Sequence, residues 1–520
     1  MEVGFEHFAR DAPDRPAIYE EHRCWSRGEL LGLSNRLARA LHAAQLQRGD
    51  AVSVLIPNRA EFFAALYAAL HGGLYLVPLN WHLTSEEIAY ILRDSNTRAI
   101  IVDDRFADLA SCACAGHGSR SPLLISLGAA PGCVSLQNFI QAFSAQPLAD
   151  ASPGHVMQYT SATSGRPKGV QIQPRDPRIA MEQRVRLHIL LGTRPDDGSV
   201  HLCGSMLYHS APLGLATTEL DMGHAVVLRE RLEAEEILRL IHVHRAATAF
   251  MAPPMFARLL KLPEDVRRRY DVKSLVWVNH AGCPCAPEVK RQMLDWFGPI
   301  IWEGYGCTEG GGGTVCSPQD WLRFPGTVGK PLEGVQFKIL DEGGNPVAVG
   351  QPGLVYMTRF TGDRFEYRGD REKTAACYRA DGFFTVEDIG YVNDEGYLFI
   401  CDRAVDVILC GGTKIYSAEV EQVLVMHPAV VDCAVIGVPD DVLGEVAKAF
   451  VQLVPDCTPS RELRRSILEF AGQKLAGVKL PRRIEFVTEL PRDPNGKLYK
   501  RRLRNGQVPP AKLTVPVGPQ

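Results

Sequence analysis

Apolar residues in the first hundred positions follow two alternating patterns. Leu30, Leu33, Leu37 and Leu41 stand three or four apart and so share one face of a helix. Ser26 and Glu29 just before them form a capping-box pair. Residues 51–56 (AVSVLI) form a short apolar run of buried-strand type, and Pro57-Asn58 turns the chain. Residues 59–71 read as a helix and 74–77 as extended. Thr84 and Glu87 repeat the capping pair ahead of Ile88, Ile91 and Leu92, and 98–102 is another strand. This alternation predicts βα units on a largely parallel sheet, which binds ligands beyond the carboxyl ends of its strands.

Further along, 250–260 (FMAPPMFARLL) reads as a strand end passing into a helix. A strand at 274–278 leads into His280-Ala281-Gly282-Cys283-Pro284. Another, at 300–302, leads into Glu303-Gly304-Tyr305-Gly306-Cys307-Thr308-Glu309 and a glycine run, 310–313. The pattern then changes. Asp341-Glu342-Gly343-Gly344 and Asn393-Asp394-Glu395-Gly396 are hairpin turns, which predicts a β-rich subdomain over about 325–400. Asp402-Arg403 opens a last α/β unit, with Ser417 as N-cap of a helix that carries Glu419 and Glu421 early. Residues 460–475 form a second amphipathic helix. The expected fold is α/β: a large N-terminal domain over 1–401, a small C-terminal α/β domain over 402–505 and a loose tail over 506–520. A length of 520 residues suits such a division.

An apolar share of 46 % and a charged share of 22 % are those of a globular protein with a sizeable core. Lys plus Arg number 57 against 60 for Asp plus Glu, a net charge of −3 that argues against nucleic acid as a partner. The basic stretch 497–504 reads, on charge alone, as a solvated tail. The 14 cysteines include no C-x-x-C pair, which points to scattered thiols rather than a zinc site. Glu2 follows Met1 with no basic segment before an apolar run, so no signal peptide is expected. The most apolar segment, 62–79, is broken by His71, Gly72, Gly73 and Pro78, so no transmembrane segment is expected either. A cytoplasmic protein follows.

One stretch organises the chemistry: 158–170, QYTSATSGRPKGV. The hydroxyls of Thr160, Ser161, Thr163 and Ser164 and exposed backbone N–H groups suit phosphate oxygens, and Lys168 adds a point charge. Gly165 and Gly169 let the backbone approach a ligand. The spacing is not that of a Walker A loop. Taken alone, the stretch is either a phosphate loop or a polar surface loop.

Four more stretches follow in order: Tyr305-Gly306-Cys307-Thr308-Glu309, Asp388 with Arg403, Gly411-Gly412, and Pro494-Asn495-Gly496-Lys497. With them the chain resembles the adenylate-forming superfamily of acyl-CoA synthetases, firefly-type luciferases and amino-acid-activating peptide synthetase domains. The likeness covers about residues 5–505. It implies a two-step reaction. A carboxylate attacks the α-phosphate of Mg-ATP, giving acyl-adenylate and pyrophosphate, and a thiol, usually that of coenzyme A, displaces AMP.

The resemblance also implies roles. Thr160, Ser161, Thr163, Ser164, Gly165 and Lys168 hold the β- and γ-phosphates. Glu309 binds Mg2+, a hard cation that prefers oxygen, and Thr308 bonds the α-phosphate. Asp388 accepts from the ribose hydroxyls, Gly282 and Cys283 line the adenine edge, and Tyr305 stacks on the ring. Arg403 bridges phosphate and ribose, and Lys497 is the catalytic lysine of adenylation. His209 is a gate near the carboxylate. Asp402 is the hinge about which the C-terminal domain rotates to bring Gly411 and Gly412 to the pantetheine thiol. Each has a plainer reading. Asp388 is then a hairpin-end carboxylate, Tyr305 and His209 are core residues, Arg403 is a surface ion pair and Asn495-Gly496 a turn. Two positions depart from the family pattern. Ala162 stands where glycine is usual and Ser164 where threonine is. A positive φ at Ala162 would cost roughly 1 kcal/mol.

No acidic residue stands in Tyr208-His209-Ser210 to hold a substrate ammonium, so a plain carboxylic acid is expected. Small residues at Gly214, Ala216 and 310–313 leave room for a fatty, alicyclic or steroid-derived acyl group. Three functions follow: acid:CoA ligase, loading of a carrier-protein thiol, or a non-catalytic acyl-CoA or nucleotide binder. The oligomeric state stays open, a homodimer included.

Overall fold

The computed structural model describes residues 3–116, 121–160, 166–172, 177–359, 362–455, 457–492 and 497–507. Two sheets built from βα units make the large N-terminal domain. A six-stranded parallel sheet runs in the order Val134–Ser135, Leu123–Ser126, Thr97–Val102, Ala51–Leu55, Tyr75–Pro78, His155–Val156. Every residue of Ala51–Leu55 is buried, as expected for a parallel strand covered on both faces. A nine-stranded sheet places Ile301–Cys307, Trp277–His280, Thr248–Phe250, Val200–Cys203, Ala225–Val227 and Pro16–Tyr19 side by side and parallel, with antiparallel strands at both edges.

The core between the sheets is filled by the helices Arg27–Ala43 and Ala60–Gly72, through Leu30, Leu37, Phe62 and Phe63. Both predicted capping boxes form. Ser26 N–H donates to Glu29 at 2.8 Å, and Thr84 N–H donates to Glu87 at 2.8 Å. Such a cap is written within four residues and needs no tertiary partner.

Two strands differ from expectation. The one expected at 274–278 runs Trp277–His280, because Ser274 is a turn residue whose hydroxyl donates to the Ala246 carbonyl. The one expected at 300–302 runs on to Cys307, because Gly311–Cys316 pairs with it antiparallel. The Tyr305–Cys307 motif therefore sits in a ladder rather than a loop. Gly306 is obligatory there, since a Cβ would lie 2.2 Å from the Gly311 carbonyl oxygen.

Beyond this sheet lies a four-stranded antiparallel one, Phe337–Leu340, Gly353–Met357, Asp388–Val392 and Leu398–Arg403. A three-stranded sheet sets Gln158–Thr160 against Lys168–Ile172, with Lys168 opposite Thr160. The smaller C-terminal domain is a five-stranded sheet centred on the Val430–Asp440 and Gly444–Leu453 ladder. It is covered by the helices Ser417–Leu424 and Arg461–Gly472.

Three expectations are corrected. Ser417 is not an N-cap. Tyr416 holds that position, and the Ser417 hydroxyl donates to Asp402 at 2.7 Å, while Asp402 also accepts from Ala418 N–H. The stretch 497–504 is not a solvated tail. Lys500–Arg504 is helical, Leu503 is buried, and the Lys500 ammonium pairs with Glu421 at 2.9 Å. Ala216 is wholly buried in the inter-sheet core and faces no acyl pocket. Among the described residues no helix is long and apolar enough to cross a membrane.

Candidate active site

The parallel strands of the larger sheet carry Cys203, Phe250, His280 and Cys307 at their carboxyl ends. Chain leaving these ends supplies His209, Gly282, Cys283, Thr308 and Glu309. Gly282 has φ +90° and open space around it, a backbone shape and clearance suited to a flat ligand edge, and Cys283 beside it is half-buried.

Glu309 is buried just past the strand Ile301–Cys307. The Tyr367 hydroxyl donates to its Oε1 at 2.8 Å, and Arg359 donates to its backbone carbonyl. Its Oε2 has no partner among the described residues. The Lys168 ammonium stands 4.5 Å over the Tyr367 ring, so the lysine of the candidate phosphate loop and the candidate metal ligand share one tyrosine. Burial, with the neighbouring Lys373 charge, pulls Lys168 down to about 8.

A second group forms where two antiparallel strands meet. Asp388 lies opposite Arg403 in register. The Tyr305 hydroxyl donates to Asp388 Oδ2 at 2.7 Å, and the Arg403 guanidinium lies 3.5 Å from Oδ1. Burial raises the Asp388 pKa, and Arg403 and Tyr305 offset part of that rise. Asp402, the adjacent residue, is buried and tied to the C-terminal domain through Ser417.

Two cavities meet among these residues. One, of about 880 Å³, is lined by Thr160, His209, Thr308 and Lys497. The other, of about 1780 Å³, runs along the helix Ser210–Asp221 and past Gly310, Gly311 and Gly312. Gln158, Ser210 and Thr308 line both. The Ser210 and Thr308 hydroxyls are 3.5 Å apart at this junction. His209 holds the N-cap position of that helix, with its ring 4.7 Å from Tyr208. It lines the smaller cavity and is not a core residue.

The fold thus brings Thr160, Lys168, His209, Thr308, Glu309 and Lys497 together, and beside them Tyr305, Asp388 and Arg403. It does not bring in Gly411 and Gly412. They form the tight turn between Ile408–Cys410 and Thr413–Ile415, with φ +54° and +82°, and line neither cavity. Ser161, Ala162, Thr163, Ser164, Gly165 and Pro494-Asn495-Gly496 lie outside the described residues.

The glycine run has two jobs. A Cβ at Gly310 would lie 2.9 Å from Phe384, so that glycine is needed for packing, whereas Gly311 has φ +73° and open space. Sequence reasoning missed Tyr367 and Arg359. Neither belongs to a motif, and each reaches Glu309 across more than 45 residues.

Residues 5–360 match the family described as AMP-binding enzyme, and 419–497 match the AMP-binding enzyme C-terminal domain. The chain belongs to the AMP-binding enzyme family. This AMP-binding enzyme is accordingly an AMP-forming ligase of the adenylate-forming superfamily. It is 33 % identical over 515 residues to the fatty acid–[acyl-carrier-protein] ligase ScoC of Streptomyces coeruleorubidus, covering 96 % of this chain and 94 % of that one. It is 31 % identical over 503 residues to the mitochondrial acyl-coenzyme A synthetase ACSM3 of Rattus norvegicus, covering 92 % and 84 %. Its structure is similar to that of the anthranilate CoA ligase AuaEII in complex with anthranoyl-AMP. The TM-score is 0.85, with 27 % identity over 96 % of both chains.

Proposed function

We propose that the protein is an ATP-dependent acid:CoA ligase that activates a carboxylic acid as acyl-AMP and passes the acyl group to coenzyme A. The observation that carries this reading is the junction of the two cavities at Thr308 and Ser210, with Lys497 on the wall of one of them. A carboxylate lying in the larger cavity would present its oxygens at the junction. A nucleotide α-phosphate in the smaller cavity would meet it there.

In this reading Thr308 bonds the α-phosphate, and the Lys497 ammonium stabilises charge on carboxylate and phosphate oxygens during attack. Lys168 and Thr160 hold the outer phosphates together with Ser161, Thr163, Ser164 and Gly165 of the same loop. Asp388, held by Tyr305, accepts from the ribose, and Arg403 spans ribose and phosphate. Because its hydroxyl is already committed to Asp388, Tyr305 stands with that carboxylate at the ribose and offers its ring to the base. Glu309 fits a magnesium ion, since one carboxylate oxygen is open on a buried hard donor. When bound, the ion would neutralise charge on the phosphates.

The domain division goes with this reading: 1–401, a rotating 402–505, and a tail over 506–520. Asp402 is the hinge. Its carboxylate grips Ser417, which also accepts from Lys500 at 2.5 Å, so the C-terminal domain would turn about the Asp402 backbone as one body. Gly411 and Gly412 would then swing in to pass the pantetheine thiol. A cytoplasmic setting supplies ATP and coenzyme A, and the site is built from one chain whether or not the enzyme is a homodimer.

The test is AMP formation across a panel of carboxylic acids, with and without CoA. Lys497→Ala should abolish acyl-adenylate formation and spare thioester formation from supplied acyl-AMP. Equal loss of both half-reactions would remove Lys497 from the adenylation step. A second reading has specific support in the 33 % identity to a fatty acid–[acyl-carrier-protein] ligase. Under it, supplied acyl-AMP would load a holo carrier protein in preference to CoA.

A further inference from the structure

The larger cavity has a built far end. Ser210, Leu213, Gly214, Thr217 and Asp221 of the helix Ser210–Asp221 all line it, and at 100° per residue they form a single stripe. The helix begins at the junction beside Thr308 and ends at Asp221. Eleven residues at 1.5 Å each make that distance about 16 Å. Leu66, Leu70, Leu187 and Leu213 also line the cavity, together with polar residues such as Thr217 and Gln183.

At the far end Asp221 is 7 % exposed. Its Oδ1 accepts from Phe5 N–H at 3.2 Å and from the Tyr67 hydroxyl at 3.2 Å. Its Oδ2 has no partner among the described residues, and Asp221 lines the cavity. Arg184, from the helix Pro177–Leu191, lines the same cavity, and its charge acts on Asp221. That oxygen opens onto the cavity, where a matched donor on a ligand would bond it. A terminal carboxylate on the substrate would face Asp221, and a terminal ammonium would face Arg184. A hydroxyl suits both, donating to one and accepting from the other.

We propose that the preferred acid is an elongated hydroxy acid, spanning the helix from Thr308 to Asp221 and donating its far hydroxyl to Asp221 Oδ2. With C–C bonds of about 1.5 Å, a chain of roughly ten to fourteen carbons, or a ring system of equal length, covers the distance. This deepens the acid-activating reading and rests on it.

The experiment is ATP-dependent pyrophosphate release by the full-length protein with dodecanoic, 12-hydroxydodecanoic, 12-aminododecanoic and dodecanedioic acids, and with a straight-chain series from butanoic acid upwards. The hydroxy acid should exceed dodecanoic acid in kcat/KM by about ten- to hundredfold, the range for a hydrogen bond to a charged group. Asp221→Asn should shrink that ratio. Because Asp221 also anchors Phe5, Gly214→Leu provides an independent variant. No atom lies within 4 Å of a Cβ built at Gly214, and the new side chain would block the stripe near its start. It should confine activity to acids of about six carbons or fewer. Equal rates for dodecanoic and hydroxydodecanoic acids, or a preference for the amino acid or the diacid, would overturn the proposal and leave acid activation standing. An unchanged chain-length limit in Gly214→Leu would overturn it too. Pyrophosphate release with no acid of any length or end group would instead sink the acid-activating reading itself.

Discussion

Two glutamates are buried in this protein and are arranged in opposite ways. Glu219, wholly buried, has both oxygens occupied. Thr248 donates to Oε1 at 2.9 Å, His224 Nδ1 lies 2.5 Å from Oε2, and His188 and His201 stand within 3.6 Å of Oε1. Burial pushes its pKa up, but hydrogen bonds from His188 and His224 outweigh that and hold it well below the carboxylate range. His224 is the cationic partner. Burial pulls it down, yet Asp197 and Glu219 hold it up at about 10. Glu309 has one tyrosine on one oxygen and an open second oxygen. Nearby Asp388 is held above its ordinary value by burial. Both carboxylates are buried, and what separates the two sites is saturation of the lone pairs. A carboxylate whose bonds are all made contributes to the fold, and one left partly unmade is available to a ligand.

The comparison breaks most visibly in stability. Glu219→Gln removes one of the two carboxylates that hold the buried His224 charge, leaving Asp197 alone, and should destabilise the protein by about 3 kcal/mol, read as a lowered denaturation midpoint. The turnover of the protein that remains folded should change little. A folded Glu219→Gln protein without adenylation activity would place this cluster in the catalytic machinery. The pair also has a pH window. The depressed Glu219 gives stability that is present above its unfolded pKa and is lost as the pH falls through the folded one. The raised His224 gives stability that is complete below 6.5 and is lost as the pH climbs through about 10.

Glu309→Gln should show the converse, with a near-normal denaturation midpoint and acyl-adenylate formation down about a hundredfold, roughly 2.7 kcal/mol. Normal adenylation by this variant at limiting magnesium would show that the open oxygen serves no metal. Asp388→Asn is a smaller change, and the KM for ATP should rise about tenfold. Because burial lifts the Asp388 pKa, ATP affinity in the unaltered enzyme should weaken on acidification before the pH reaches the usual 3.8. The smallest effect concerns Lys168. With its pKa lowered to about 8, kcat/KM for ATP should fall above that pH as the ammonium loses its proton. Lys168→Arg, which stays charged, should flatten that limb of the profile.

Much of this was legible before folding is considered. The capping boxes at Ser26 and Thr84, the buried run at 51–55 and the hairpin turns at 341–344 and 393–396 are encoded within a few residues. The candidate phosphate loop, Thr308-Glu309, Asp388 and Lys497 could be picked out as candidates, because the residue types there match the needs of phosphate, metal and carboxylate. Gly214 and Ala216 were not separable. Two residues apart on one helix, they point roughly 200° apart, so one lines the cavity and the other packs in the core.

The sequence by itself determined which local elements form, the α/β class and the candidate reacting groups, because these depend on near neighbours and on side-chain chemistry. Only the tertiary structure decided which face of the helix Ser210–Asp221 meets a cavity, that Tyr367 and Arg359 hold Glu309, and that Asp402 caps a helix starting 15 residues later. It also decided that His188, His201, His224 and Thr248, far apart in sequence, gather around Glu219. The physical reason is common to all of these. A helix has no preferred rotation until another surface covers it, and a buried charge has no preferred partner until packing excludes water and leaves one within reach.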